Sequence, residues 1–257
     1  MRIEGWSITD VGKKRDHNED NHLCNPDLGL FIVADGMGGH RAGDTASRTA
    51  VTTIEAEITR QIEGLRPVAK SGGTQMLFIS DDPITGILVD AVRAASGAIL
   101  DQSEHDPELS GMGTTTSLLF FHEGRAFYAH VGDSRIYRIR DGEILRVTRD
   151  HSLVQEQIDA GLITQDEADR SGYKNIITRS VGFERHIEVD TAEVDLAAGD
   201  VFLMCSDGLS NLVTVNEIRD IATKKEPITA LQFFVNLANS RGGDDNITAI
   251  LVKVFGN

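Results

Sequence analysis

Cysteine is scarce in this chain. Only Cys24 and Cys205 occur among 257 residues, far apart and outside any CxxC pair. That excludes a thiolate zinc site and a disulfide framework. Cys205 ends the apolar run Val201-Phe202-Leu203-Met204-Cys205, where it reads as a buried small hydrophobe. Long apolar runs are missing too, and none approaches the roughly 20 residues of a membrane span. The opening Met1-Arg2-Ile3-Glu4-Gly5-Trp6 lacks the apolar core of a signal peptide. A cytoplasmic location is the default expectation, and the glycosylation pattern Asn246-Ile247-Thr248 reads as chance. Basic residues are in deficit. Lys and Arg number 25 against 40 Asp and Glu, a formal charge of −15. Such a chain is poorly suited to displace counterions from nucleic acid or to dock on an anionic membrane. Nucleotide motifs are absent as well. Gly36-Met37-Gly38-Gly39-His40-Arg41 lacks the third glycine of GxGxxG, and neither a P-loop lysine motif nor HExxH occurs.

What is present is an ordinary globular composition, 40% hydrophobic and 25% charged, in a length that buries a sizeable core. Leu30 to Ala34 is a short continuous apolar run, as in a strand covered on both faces. Thr115 to Phe121 and Arg125 to Val131 form a pair around His122-Glu123-Gly124. Ser134 to Arg140 and Glu143 to Val147 flank Asp141-Gly142, a strong hairpin signal. Val201 to Cys205 and Ile247 to Val254 are further strands. Ala42, Ala46, Ala50, Ile54, Ile58 and Ile62 make one helical stripe. Ile84, Ile87, Leu88, Ala91, Val92, Ala95 and Ile99 make a second, and Ile228 to Ala238 a third. Strict strand–helix alternation is missing, so antiparallel sheets with helices packed outside fit better than a doubly wound sheet. No repeat or Pro-rich linker divides the chain. Gly64 to Pro83 reads as a surface loop, and Asp150 to Gly182 as a polar, weakly patterned segment of the kind that often forms a lid.

Several carboxylates fall at strand ends. Asp35 follows the strand ending at Ala34, Asp133 follows Val131-Gly132, and Asp207 follows Cys205-Ser206. Asp245 precedes the last strand. Each lies in a glycine-bearing turn. Any one alone is more ordinarily a turn than a ligand. If the sheets stack, however, the four ends can meet on one rim. Clustered carboxylates repel each other and take up protons, a penalty that a divalent cation removes. Ligation by oxygen alone selects hard ions such as Mg²⁺ or Mn²⁺. Nearby, Arg15-Asp16-His17-Asn18-Glu19-Asp20 places one guanidinium, suited to bidentate phosphate binding, beside three acids. As an isolated run it would be a solvated turn.

These pieces, taken in order, resemble the metal-dependent protein Ser/Thr phosphatases of the protein phosphatase 2C type in their bacterial form. They are Arg15 to Asp20, Val33 to His40, Gly113-Thr114-Thr115, His130 to Arg135, Ser206 to Leu209 and Gly243 to Thr248. The match spans nearly the whole chain. Its departures are in the connectors, chiefly Gly64 to Pro83, which is longer than usual. The resemblance implies an α+β fold, a four-layer α-β-β-α sandwich of two antiparallel sheets flanked by helix pairs. It implies one catalytic domain over residues 1–257, with a flap at about 150–182 that affects substrate choice. It implies a two-metal centre, Mn²⁺ or Mg²⁺. Asp35 would bridge the metals, the Gly36 carbonyl would ligate one, and Asp207 and Asp245 the other. Glu19 and Asp20 would act mainly through metal-bound waters, and Arg15 would hold the substrate phosphate. Bacterial members often bind a third metal, where Asp133 would join Asp207.

By this resemblance a metal-activated water attacks a phosphoserine or phosphothreonine monoester directly. Neither cysteine heads a CxxxxxR phosphate loop, which excludes a cysteine phosphatase. Animal members carry a histidine directly after the Asp-Gly. Here that position is Met37, and His40 is the nearby candidate for the proton donor, with a structural role in the turn as its equal alternative. His17 and His130 read as structural. Expected partners are phosphorylated proteins and a cognate Ser/Thr kinase, with neither nucleic acid nor membrane. Two other classes are open. One is a non-catalytic phosphoprotein-binding regulatory domain on the same scaffold, against which the retention of Asp35, Asp207 and Asp245 speaks. The other is a two-metal phosphodiesterase or nuclease, against which the charge of −15 speaks.

Overall fold

The computed structural model describes residues 1–39, 41–64 and 82–256, without the side chain of Asp169. In chain order the strands are β1 (Arg2–Asp10), β2 (Asp20–Asn25), β3 (Leu30–Met37), β4 (Gly113–Thr114), β5 (Thr116–His122), β6 (Arg125–Val131), β7 (Arg135–Arg140), β8 (Glu143–Arg146), β9 (Asp190–Val194), β10 (Val201–Cys205) and β11 (Ile247–Phe255). The helices are α1 (Arg41–Gly64), α2 (Pro83–His105), α3 (Leu153–Asp159), α4 (Gln165–Asp169), α5 (Asp207–Ser210), α6 (Val215–Lys224) and α7 (Pro227–Ser240). One antiparallel sheet runs β1-β11-β10-β7-β8. The other runs β2-β3-β5-β6-β9, with the short β4 added beside β3.

The period of two along each strand sorts side chains into layers. In β3, Leu30, Ile32 and Ala34 join a core with α1 and α2, while Phe31 and Val33 face the opposite sheet. In β10, Leu203 and Cys205 join a core with α6 and α7, while Phe202 and Met204 turn inward. The inner layer, with Ile250 and Val252 of β11, holds the two sheets together. The result is the four-layer α-β-β-α sandwich, with both sheets covered on both faces.

The local chemistry explains the elements that place the site. α1 buries Ala42, Ala46, Ala50, Ile54 and Ile58 as one stripe. α2 begins where the Asp82 side chain accepts from the Ile84 amide at 2.9 Å, with Pro83 at its first position. The Glu123-Gly124 and Asp141-Gly142 turns have φ of 49° and 78°, and 51° and 81°, as tight two-residue hairpins require. α2 corrects one expectation, because it is long and apolar enough to cross a membrane by length and composition. Its Ile84, Leu88, Ala91, Ala95 and Ile99 are instead packed in the core shared with α1. Within the expected lid, α3 and α4 are helical, a bridge from Ser152 to Ile177 joins its two ends, and one from Thr114 to Val181 ties it to the sandwich. Residues 65–81 of the expected surface loop lie outside the described residues.

Candidate active site

Both sheets contribute to one rim. β2 and β3 pair so that Asp20 stands opposite Asp35. The β6–β7 turn carries Asp133, the end of β10 leads into Asp207, and Asp245 stands just before β11. Asp35, Asp133, Asp207 and Asp245 line a cavity of about 250 Å³ together with Arg15, Glu19, Gly36 and Thr115. The structure therefore gathers the four strand-end aspartates that the sequence singles out. Asp20 is different. It is almost fully buried and lies beneath the cavity, where the Ser206 hydroxyl donates to its Oδ2 at 2.8 Å. His40 lies outside the described residues.

Two residues to which the sequence alone gives no role brace this rim. Thr115 Oγ1 accepts from the Asp35 amide at 3.0 Å and shares a hydrogen bond with Ser134 Oγ at 2.8 Å, and the Thr115 amide donates to the Asp35 carbonyl at 2.8 Å. It thereby clamps β3 to the turn bearing Asp133. Asn246 accepts from the Glu19 amide at 2.8 Å and donates to the carbonyls of Val11 and His17 at 3.0 and 2.9 Å. That fixes the N-terminal acidic segment against Asp245. The spacing of side-chain amides in a sequence does not show such cross-chain braces. Two glycines are required by close approach. A Cβ on Gly36 would stand 2.1 Å from the Gly43 carbonyl, and one on Gly208 would stand 2.0 Å from the Asn246 carbonyl. From the lid, Asn175 and Ile177 reach the same cavity.

The electrostatics are those of crowded carboxylates. Removal from water, then the charges of Asp20, Asp207 and Asp133, hold the Asp35 carboxyl well above its ordinary value. Burial pushes Asp20 up to about 7 and Asp133 up to about 8, the latter reinforced by Asp207 and Asp150 and opposed by Arg135. Desolvation and then Asp245 raise Asp207. Among the described residues only Arg15 answers with positive charge from inside the cavity lining, and its Nη2 donates to Asp245 Oδ2 at 2.8 Å. His130 is no part of this chemistry. It is fully buried, with Nδ1 against Ser117 Oγ at 2.8 Å and Nε2 against the Arg149 carbonyl at 3.0 Å, and burial pushes it down to about 4.

The donors fit a hard divalent cation. All are oxygens, they share a deficit of positive charge, and Asp20 Oδ1 and Asp207 Oδ1 are buried without a hydrogen-bond partner. Among the described residues no three acidic, histidine or cysteine side chains close around a single point. The carboxylates ring the cavity instead, a layout that leaves coordination positions for water and substrate.

A profile for Protein phosphatase 2C matches residues 12–252. Protein phosphatase PhpP of Streptococcus pneumoniae is 41% identical over 252 residues, covering 96% of both chains. The serine/threonine phosphatase PstP/Ppp of Mycobacterium tuberculosis has a TM-score of 0.85 and 32% identity, covering 99% of both chains. The catalytic domain of the serine/threonine protein phosphatase PstP in complex with two manganese ions gives 0.81 and 33%, again over 99% of both. The chain belongs to the protein phosphatase 2C family, whose members are metal-dependent. It is a protein Ser/Thr phosphatase of the bacterial kind.

Proposed function

We propose that this chain hydrolyses phosphoserine and phosphothreonine monoesters in proteins at the rim cavity, and so reverses a Ser/Thr kinase. The observation that carries this reading is the all-oxygen ring of Asp35, Asp133, Asp207 and Asp245 around one cavity with Arg15 in its wall. Two Mn²⁺ or Mg²⁺ ions, when bound, would neutralise phosphate charge and make water a nucleophile near neutral pH. Asp35, the Gly36 carbonyl, Asp207 and Asp245 would hold them, with Asp133 and Asp207 available to a third.

The remaining work falls to the chain's own groups. Arg15 is half-exposed and singly bonded to Asp245, so its fork is free to turn onto the phosphoryl oxygens. Glu19 stands at the cavity edge and Asp20 beneath it, and both would orient water through hydrogen bonds. The only hydroxyl side chain among the described lining residues is Thr115, which is spent on Asp35 and Ser134. In this reading the attacking group is water, activated when metal is bound, so no covalent phosphoenzyme is needed. Met37 carries no proton to give, and the candidate donor to the leaving alkoxide is His40, with a structural role in the turn as its equal alternative.

Purified protein should release phosphate from a phosphothreonine peptide with Mn²⁺ and stop on addition of EDTA. Asp245→Ala should lower turnover by at least about 100-fold while the circular dichroism spectrum stays unchanged. Turnover that persists after complete metal removal, or a wild-type rate in that variant, would refute the reading.

A further inference from the structure

The cavity continues past its carboxylates. Asp133 and Asp207 also line a pocket of about 60 Å³ that contains Arg135, Arg146 and Lys174. The same three cations line an outer groove of about 570 Å³, bounded by Tyr137 and by residues 210–215. Among the described residues no carboxylate lines that groove, in a chain with 40 acids and 25 bases. A wall of one sign is thus placed beside the site where phosphate is cleaved.

The three charges are not equally committed. Arg135 is held by Asp150, with Nη2 donating to Oδ2 at 2.7 Å, and Asp150 is buried. Arg146 leans on the same carboxylate at 3.5 Å and donates to Gln155 Oε1 at 2.9 Å. Asp150 therefore offsets one of the two guanidiniums and leaves the other uncompensated. Lys174 is exposed and has no ion pair among the described residues, yet it is near enough that its charge favours the ionised form of Asp207. Counted against Asp150 alone, the three cations leave two positive charges over, and the other carboxylates near them, Asp133 and Asp207, stand on the rim side and not in the groove lining.

Resting on the phosphatase reading, we propose that this groove is a subsite for a second anionic side chain of the substrate protein, close in sequence to the phosphorylated residue. Lys174 and Arg146 are its specificity-determining residues. The shared chemistry is an anion with several acceptor oxygens, either an Asp or Glu carboxylate or a second phosphorylated residue. Neutral flanks leave the positive lining unanswered, and basic flanks are repelled.

The test is kcat/KM with Mn²⁺ on matched phosphothreonine peptides whose neighbouring residues are neutral, Glu, a second phosphoserine or Lys. The wild type should favour at least one anionic flank over the neutral one by about tenfold, the size of a charge-assisted contact, and should take the Lys flank least well. The better of the two anionic arms identifies the natural group. Lys174→Gln should shrink the preference to within about twofold, and Lys174→Glu should move it toward the Lys flank, a reversal that loss of structure cannot produce. Equal kcat/KM across all four peptides in the wild type, or an unchanged order in Lys174→Glu, overturns the subsite while leaving the phosphatase intact. Turnover of no peptide overturns the phosphatase reading and the subsite with it.

Discussion

Asp20 and Asp133 are carboxylates that the folded chain keeps protonated at pH values where the unfolded chain does not. Their values of about 7 and about 8 stand above an ordinary 3.8. The native state then binds more protons than the unfolded state, so their contribution to stability is complete below about pH 4 and is lost as pH rises through 7 to 8. His130, pushed down to about 4 from 6.5, has the opposite sign but acts only below about pH 6.5. Between pH 6.5 and 8 the carboxylates alone remain. Metal-free protein should therefore lose about 3 °C or more of Tm across that window, and saturating Mn²⁺ should remove the loss. A Tm independent of pH in EDTA would show that the carboxylates are already ionised and solvated.

At the scale of elements, the rim depends on how closely α1 approaches β3. Gly36 and Gly43 meet backbone to backbone, and a methyl group at Gly36 would also stand 2.5 Å from the Glu19 carbonyl. Neither neighbour is a side-chain end that can swing aside. Gly36→Ala should cost at least about 2 kcal/mol in urea unfolding and weaken Mn²⁺ binding. An unchanged midpoint would contradict the close approach. The elements legible in the sequence are those with strong local signals. β3, β5, β10 and β11 are apolar because helices and a second sheet cover them, and the β5–β6 and β7–β8 hairpins are marked by their turns. β1, β2 and β9 escape such a reading because they are edge strands, as the sheet orders show. Asp20-Asn21-His22-Leu23-Cys24-Asn25 and Asp190-Thr191-Ala192-Glu193-Val194 are only partly buried, and pairing rather than burial makes them strands. α4 and α6 did carry a usable signal. Thr164 with Glu167 and Thr214 with Glu217 form capping boxes, a pattern readable from residue spacing alone. Of the site, Asp35, Asp133, Asp207 and Asp245 were legible because each ends or begins an apolar strand. The braces Thr115 and Asn246, and the cationic groove, depend on which strands are neighbours, and no local pattern encodes that.

At the scale of the whole molecule, a charge of −15 opposes binding of a phosphate dianion. The fold intensifies the opposition at one place, by bringing four aspartates from two sheets onto one rim. A divalent cation bound there would reverse the local field, while the groove of Arg135, Arg146 and Lys174 keeps one wall positive. The central claim is that the rim carboxylates exist to hold cations. Calorimetric titration of Mn²⁺ into metal-free protein at pH 7, in two buffers of different ionisation heat, tests it most directly. The account predicts saturable binding of about two ions per chain, with release of protons from the raised carboxylates and loss of binding in Asp35→Asn. Absence of saturable binding, or an identical isotherm in Asp35→Asn, would contradict it.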